Sequence, residues 1–483
     1  MGAMTRPAAV PEPPILAVAG SRIVAGADVV TLRGFGLGGW MNMENFITGY
    51  AGTESQMRRA MRRTLGEEGY QRFFGRLMKA FFTDDDAALL RALGLNSLRI
   101  PVNYRHFERD DAPFQYREEG FALLDRMIAL CARHGIYTII DLHAVPGAQN
   151  QHWHSDNPTQ WAGFWAQRQF QDRVVALWER IADRYRGNGW VAGYNPVNEP
   201  ADAHGDVIGP FYRRVERAIR AVDPDHILFL DGNRYSTQFH ELGDPLPNCV
   251  YTAHDYALPG FVDGGPYPGV SRGQYIDRDT VEETFLARTA YMRETGTPIW
   301  VGEFGPVYTG DPQRDAQRYT LLEDQLEIFA RHDASWALWT YKDVGLQALA
   351  GVSPESGYRR RLAPFLEKKA RLGVDSWGGT DAGVRDVLDP IEELFRREFP
   401  GFAPYPWGAH RWIHGHIRHV MLAEAMVDEY ARTFAGLSPA EAEALADDFA
   451  LPACVVRTRL ADILKAAAGG PRDAEPVTAA AAP

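Results

Sequence analysis

The chain has 483 residues, of which 51 are Lys or Arg and 63 are Asp or Glu, giving a formal net charge of −12. Hydrophobic residues make up 45% of the sequence and aromatic residues 12%, which is enough to bury a large core and excludes disorder over most of the chain. The acidic balance, without any Lys/Arg-rich run, excludes a nucleic-acid-binding protein, because such proteins normally present a basic surface.

The cysteines and the apolar segments indicate in which cellular compartment the protein is expected. Three cysteines (Cys131, Cys249 and Cys454) lie far apart in the sequence without CxxC spacing, so neither a disulfide framework nor a zinc site is indicated. There is no run of about 18 apolar residues that could form a transmembrane helix, and the N-terminus lacks the apolar region of a signal peptide. We therefore expect a cytoplasmic protein, an expectation that a leader removed ahead of this N-terminus would change.

Short β-rich runs alternate with amphipathic helical patterns, which is typical of βα units around a parallel sheet. Eight such units predict a (β/α)₈ TIM barrel in the α/β class. The predicted strands are Thr31–Leu37, Asn96–Pro101, Ile136–Leu142, Val191–Asn198, His226–Asp231, Val250–His254, Pro298–Phe304 and Ser335–Tyr341. The predicted helices between them are Asp84–Leu93, Gly120–His134, Trp161–Tyr185, Pro210–Ala221, Val281–Glu294 and Arg314–Arg331.

Segments outside the βα units complete the predicted organisation. Residues 15–30 read as a β-hairpin at the barrel floor, and the insertion 42–83 follows the first strand, which places it on the catalytic face. After the eighth strand, helical patterns occupy Val387–Glu398, Ile417–Phe434, Pro439–Ala450 and Val455–Ala468. We predict a catalytic barrel over residues 15–345, a helical extension packed on it over 346–468, and a disordered tail over 469–483.

Two glutamates lie at the carboxyl ends of predicted strands: Glu199 directly follows the fourth strand, and Glu303 is the last residue but one of the seventh. The carboxyl ends of the strands form the active face of this fold, so the two side chains should point into one cleft. A single glutamate there could be a solvated strand end. Two facing carboxylates, one donating a proton and one attacking carbon, are the minimum apparatus for glycoside hydrolysis.

Other strand ends carry polar and aromatic residues at the same level. Arg99 lies inside an apolar strand and needs an acidic partner, because an unpaired buried charge is costly; a structural ion pair is the alternative to a role beside the nucleophile. His143 and His254 could donate hydrogen bonds to sugar hydroxyls, and Tyr256 could hold a carboxylate. Trp339 offers a flat apolar platform for a pyranose, with core packing as the alternative.

Arg99, His143, Asn198-Glu199, His254-x-Tyr256, Glu303 and Trp339, in this order on successive strands, resemble the signature of glycoside hydrolase family five, the cellulase-type family of retaining (β/α)₈ enzymes. The resemblance spans roughly residues 20–345. It implies that Glu199 is the acid/base and Glu303 the nucleophile. It further implies that Asn198 binds the sugar 2-hydroxyl and that Arg99 and Tyr256 orient the nucleophile. In addition, His143 and His254 would line the site, and Trp339 would form the floor of the sugar subsite.

Two segments, Arg33–Trp40 and Asp141–Asn150, are similar to the exo-β-1,3-glucanase branch of that family, whose corresponding loops close a pocket around a terminal β-glucose. The resemblance places Trp40 in the substrate site. Bulky groups on loops 40–83 and 144–160, such as Phe46, Trp153 and His154, should wall off one end of the cleft. We therefore expect exo action on β-glucosides or short β-glucans. Members of that branch are usually secreted and disulfide-bearing, whereas this chain shows neither feature, and the insertion after Trp40 and the chain beyond Tyr341 have no counterpart there.

Three alternatives stay open at this stage. An apolar run of Met41, Met43, Phe46 and Ile47 could accept a hydrophobic aglycone, as in a glycolipid, steroid or plant glycoside. A non-catalytic carbohydrate-binding barrel would be expected to have lost a carboxylate, and both are present. A metal at His414, His416 and His419 lacks a nearby acidic ligand, so a helix start packed on the barrel is the preferred interpretation. We expect no metal or cofactor and no partner beyond a carbohydrate or glycoside substrate; the sequence carries no signal for an oligomeric state.

Overall fold

The computed structural model describes residues 10–375 and 377–469, and its centre is a closed barrel of eight parallel strands. The strands pair in chain order and the eighth closes on the first, which confirms the predicted (β/α)₈ fold. They are β1 (Arg33–Gly36), β2 (Ser97–Asn103), β3 (Tyr137–Ala144), β4 (Val191–Asn195), β5 (Ile227–Asp231), β6 (Cys249–His254), β7 (Ile299–Glu303) and β8 (Ser335–Leu338).

Strand ends differ from prediction where site residues begin. β4 stops at Asn195, three residues earlier than predicted, because Pro196 has no N–H to donate to a neighbouring strand. β8 stops at Leu338, also three residues early, whereas β2 and β3 each run two residues further, to Asn103 and Ala144. The early end of β4 lets Asn198 and Glu199 leave the wall of the barrel and turn over its mouth.

Helices surround the barrel close to where the periodicity predicts them, and Gly357–Arg371 is a further helix that was not predicted. No helix was predicted after β5, and only single turns occur there. The outer helices are Asp84–Ala92, Glu118–Arg133, Arg168–Tyr185, Ile208–Val222, Arg278–Arg288, Ala290–Thr295, Pro312–Arg331 and Gly357–Arg371. Short helical turns lie at Asn45–Thr48, Gly163–Ala166 and Asn233–Ser236. No helix among the described residues has the length and apolar character needed to cross a membrane.

The N-terminal segment covers the floor of the barrel. It forms three short antiparallel strands, Leu16–Ala19, Arg22–Ala25 and Asp28–Val29, one more than the predicted hairpin. Leu16 and Ile23 are buried against Trp190 and Trp300 in a core cluster at this end of the barrel. The opposite end is therefore the one open to substrate.

The insertion after β1 is dominated by the helix Glu54–Ala80, which bends at Gly66 (φ 68°). Its buried aromatic face packs against the C-terminal part of the chain: the rings of Phe73 and Phe434 meet edge to face at 5.4 Å. Most of the insertion is therefore a bridge between the barrel and the C-terminal extension rather than a wall of the catalytic cleft. Only its first residues, before the helix, reach the cleft.

The C-terminal extension contains the helices Arg385–Glu398, Gly408–His414, Ala423–Arg432, Pro439–Ala446 and Thr458–Ala467, and a π-helical stretch, Gly415–Leu422, joins the second to the third. The predicted helix from Val455 is wrong at its start, because Cys454–Val456 is a strand antiparallel to Ala350–Val352. Two consecutive valines favour that pairing. The predicted disordered tail lies, apart from Gly469, outside the described residues.

A buried ion pair connects the barrel to its surroundings. The Lys342 ammonium, just after β8, lies 2.7 Å from Asp86 Oδ1 and also donates to the carbonyl oxygens of Phe81 and Phe449. Both side chains are fully buried. Three segments, namely the insertion, the barrel and the extension, are therefore held by one cation.

Candidate active site

The two predicted catalytic glutamates lie together at the open end of the barrel. Glu303 is the last residue of β7, and Glu199 follows β4 after the three residues 196–198. They are 5% and 8% exposed. A carboxylate oxygen of one and a carboxylate oxygen of the other lie within 4.8 Å. Retaining glycosidases hold their carboxyl groups about 5–5.5 Å apart, whereas inverting enzymes need about 6.5–9.5 Å for a water molecule. The observed spacing suits direct attack on carbon.

Glu303 is fixed through both of its oxygens. Arg99, fully buried on β2, donates from Nη1 to Glu303 Oε1 at 2.5 Å. The Tyr256 hydroxyl donates to Oε2 at 3.0 Å. The same guanidinium donates from Nη2 to Asn198 Oδ1 at 2.5 Å and lies 3.1 Å from Asp141 Oδ2. Arg99 thus positions the Glu303 carboxylate.

Glu199 adopts a left-handed backbone conformation (φ 45°), which is uncommon for a residue other than glycine. Asp231 at the end of β5 braces it, since the Glu199 N–H donates to Asp231 Oδ2 at 2.9 Å. Its side chain lies between two imidazoles, with Oε1 2.7 Å from His254 Nδ1 and Oε2 3.2 Å from His154 Nε2. Sequence reasoning missed Asp231, and its position at a strand end was the only available signal.

The surroundings separate the two carboxyl groups by their pKa. Burial, reinforced by the negative charge of Asp231, raises the pKa of Glu199 to about 8. Burial also raises the pKa of Glu303, to about 7, but His254 and Arg99 oppose it there. The pKa of Glu199 is the higher of the two, which is the order that a glycosidase with Glu199 as the acid and Glu303 as the anion requires. Burial lowers the pKa of His254, and the charges of Glu303 and Asp231 oppose this shift.

A second polar chain supports the predicted sugar subsite. His143 Nδ1 lies 2.7 Å from Asp141 Oδ2, and the Asn198 amide nitrogen lies 3.3 Å from His143 Nε2. The His143 ring stacks on Trp339 with the ring planes parallel and the ring centroids 5.4 Å apart. Gly36 makes room for this indole, because a Cβ at that position would come within 2.5 Å of it. Gly38 leaves space for the same indole, since a Cβ there would lie 2.6 Å from it.

Trp40 itself does not lie in the site. It is fully buried, its indole N–H donates to the Met78 carbonyl at 2.9 Å, and it does not line the catalytic cavity. The chain turns at Gly39 (φ 90°) and directs the following side chain into the insertion. Within the apolar run considered for an aglycone, Met41, Met43 and Ile47 likewise belong to the core, and only Phe46 lines the cavity.

The catalytic groups lie in a cavity of about 370 Å³, larger than the space occupied by one pyranose ring. Phe46, Trp153 and His154 line it, as the loops predicted. The C-terminal extension lines it as well, which the sequence did not indicate, through Trp377, Pro404, Tyr405, Pro406, Trp407, Gly408, Arg411, Trp412, His414, Gly415, Arg418 and His419. The segment predicted as a helix packed on the barrel is therefore the outer wall of the site.

Glu44 is a third carboxylate in the cavity, and sequence reasoning missed it because it sits in the apolar segment MNMENFI. It is 4% exposed, and burial together with the charges of Glu303 and Glu199 raises its pKa well above the usual range. Its oxygen lies 3.6 Å from His143 Nε2. Glu44 is thus placed to hydrogen-bond a sugar hydroxyl beside His143.

Among the residues that the structure describes, two groups of side chains have ligand atoms close enough to hold a metal ion. One is Glu199, His254 and Glu303, where the Arg99 guanidinium already lies against Glu303. The other is Glu392, His410 and His414 in the extension, where Arg385 lies 3.4 Å from Glu392. In each group an arginine guanidinium already lies beside one of the carboxylates that would bind the metal ion. Of the three histidines considered from the sequence, only His414 belongs to either group.

These elements define a class: a (β/α)₈ barrel with two buried glutamates close together, one just after β4 and one at the end of β7, as in retaining glycosidases. A family model described as cellulase (glycosyl hydrolase family 5) matches residues 62–345. A beta-xylosidase of Phanerodontia chrysosporium is 43% identical over 465 residues, covering 93% of this chain and 97% of that protein. A probable glucan 1,3-beta-glucosidase A of Aspergillus fumigatus is 27% identical over 368 residues, covering 67% and 87%.

Among solved structures, an endogalactoceramidase superposes with a TM-score of 0.50 at 20% identity, covering 68% of this chain and 75% of that chain. That likeness concerns the fold. The family match and the 43% identical relative go further, and the chain belongs to glycoside hydrolase family 5. It is a retaining glycoside hydrolase.

Proposed function

We propose that this chain is an exo-acting β-glycosidase that removes one terminal sugar of glucose or xylose configuration from short β-glycosides. The observation that carries the proposal is the enclosure of the catalytic glutamates. The cavity is bounded by the start of the insertion at Phe46, by the loop at Trp153 and by the extension. A pocket closed in this way admits a chain end, whereas binding the middle of a polysaccharide requires a cleft open at both ends.

The proposed reaction proceeds in two displacements. In the first, a Glu303 oxygen bonds to the anomeric carbon while the glycosidic C–O bond breaks, and the leaving oxygen takes the proton of Glu199. In the second, Glu199 accepts a proton from water as the water oxygen attacks the same carbon, and Glu303 departs as a carboxylate. Arg99 and Tyr256 stabilise that carboxylate when it is released.

The names of two relatives and the shared stereochemistry of glucose and xylose support the proposed choice of sugar. The relatives are named beta-xylosidase and probable glucan 1,3-beta-glucosidase. Glucose and xylose share equatorial hydroxyls at carbons 2, 3 and 4, and xylose lacks the hydroxymethyl group. A site in which His143 and Glu44 hydrogen-bond the ring hydroxyls and Trp339 stacks on the ring suits both sugars. A galactoside, with an axial 4-hydroxyl, should be a poor substrate.

The test compares aryl β-glucoside, β-xyloside and β-galactoside with the same leaving group, and then follows product release from gluco- and xylo-oligosaccharides over time. Single sugars released from the start, with the galactoside at least tenfold slower, support the proposal. Mixed oligosaccharides appearing early would show an open cleft and end the exo assignment. Equal rates on galactoside and glucoside would contradict the sugar assignment alone.

A further inference from the structure

The outer part of the cavity is built by a segment that the family model does not include. That model ends at residue 345, whereas Tyr405, Trp407, Arg411 and Arg418 lie beyond it and line the cavity. One sugar on Trp339 leaves the outer part of the space unfilled. Because a glycosidase must also accommodate its leaving group, this outer chamber, defined here by Tyr235, Trp407 and Arg411, is the place for the aglycone.

The outer chamber lies on the leaving-group side of the acid/base. Tyr235 follows β5, and its ring centroid is 6.3 Å from that of His154, the residue that contacts Glu199 Oε2. The Trp407 ring lies 5.3 Å from the Tyr235 ring, with the planes inclined by 41°. Trp407 is 40% exposed although it lines the cavity. The two rings thus form an aromatic surface beside the proton donor, partly open to solvent, on which a flat group can stack.

The charge of the outer chamber is positive. Arg272, Arg411 and Arg418 all line the cavity. Arg272 is paired with Asp263 at 2.6 Å, and Arg418 donates to the backbone carbonyl of Gly373 at 2.5 Å. The Arg411 guanidinium, in contrast, has no hydrogen bond and no ion pair within 4.0 Å among the residues that the structure describes; burial and the charges of Arg272 and Arg418 lower its pKa, and the more distant carboxylates of Asp263 and Asp381 oppose this only in part. A guanidinium with free donors beside two other cations attracts a carboxylate, which it can bind through two parallel hydrogen bonds.

We propose that the outer chamber binds an aromatic carboxylate as the aglycone, with the ring on Trp407 and Tyr235 and the carboxylate on Arg411. This inference rests on the proposed function, since it names the leaving group of the same site. An aromatic acid joined to the sugar through a phenolic oxygen satisfies both features of the chamber at once. A neutral aryl glycoside satisfies only the first.

The test compares 4-carboxyphenyl and 4-carbamoylphenyl β-glucosides, or the xylosides if those are preferred, in kcat/KM. The two leaving groups match in shape and differ in charge, and the ratio of their rates in each variant is the quantity compared, so that their different leaving abilities cancel. Arg411→Gln should lower this ratio about fivefold, the effect of a partly exposed ion pair. Arg411→Lys should keep part of the preference. Arg59→Gln, an exposed site on the insertion helix, removes the same charge and should leave the ratio unchanged.

Trp407→Ala tests the aromatic surface. It should raise KM for both substrates without changing their ratio, because stacking does not depend on the carboxylate. A ratio that is the same in the parent enzyme and in Arg411→Gln overturns the proposal, as does an unchanged KM in Trp407→Ala. If neither aryl glycoside is cleaved, the proposed function fails. The proposal for the outer chamber can then still be tested by measuring the binding of free 4-hydroxybenzoate by calorimetry. Equal affinity in the parent enzyme and in Arg411→Gln overturns that proposal, and weaker affinity in the variant supports it.

Discussion

At the scale of single residues, the pKa order of the two glutamates sets the pH range of activity. Glu303 must be ionised, so the active fraction rises as pH increases through its pKa near 7; Glu199 must be protonated, so it falls as pH increases through about 8. We expect a bell-shaped profile of kcat/KM on a neutral aryl glycoside with its maximum between these values. Tyr256→Phe removes a donor to the ionised Glu303 and should move the acid limb to higher pH. An acid limb that stays in place in this variant would refute the assignment of that limb to Glu303.

The roles of the two glutamates also separate by chemical rescue. Glu199→Ala removes proton transfer, which should cost about 10²- to 10⁴-fold with a poor leaving group and far less with an activated one. Added azide should restore turnover in this variant and give the β-glycosyl azide, because Glu303 still forms the covalent intermediate. Glu303→Ala should show no such product. A β-configured azide from the Glu303 variant, identified by NMR, would reverse the roles.

At the scale of elements, the buried ion pair of Lys342 and Asp86 holds three segments together. Lys342→Met leaves the Asp86 carboxylate buried without its ammonium partner, so we expect a loss of about 3–5 kcal/mol in the free energy of unfolding. The measurement is urea denaturation followed by tryptophan fluorescence. Lys368→Met is the matched control, because Lys368 pairs with Glu429 near the surface and such pairs contribute about 0–1 kcal/mol. Similar losses in both variants would show that Lys342 is not a structural centre.

Elements that are encoded by a local sequence pattern could be predicted, whereas those that depend on contacts between distant segments could not. The strands are short apolar runs between turn residues, and Glu199 and Glu303 lie at or just beyond the ends of two of them. The barrel and the pair of glutamates could therefore be predicted from local sequence patterns. Trp40 follows a strand equally directly, but Gly39 turns the chain away from the site. The outer wall at Trp407 and Arg411 is brought to the barrel by packing of distant helices, and no local pattern records such packing.

At the scale of the whole molecule, the extension and the insertion stabilise each other. Tyr50 and Phe73 of the insertion have ring contacts with Tyr430 and Phe434 of the extension. Truncation after residue 345 uncovers this apolar surface, so we expect insoluble protein or a melting temperature lowered by more than about 10 °C. Calorimetry and size-exclusion chromatography of the truncated and full chains measure the effect. A soluble truncated protein of full activity would mean that the extension is an independent unit.

The position of the outer wall in the chain has a consequence for biosynthesis. The barrel strands that carry Glu199 and Glu303 leave the ribosome before residues 404–419, which close the cavity around them. The barrel can thus form while the end that carries the two glutamates is still uncovered. The aromatic surface of the insertion stays exposed until the helices of the extension, which are synthesised last, pack against it. Chaperone dependence during translation should therefore concentrate in the interval between β8 and the helix Ala423–Arg432.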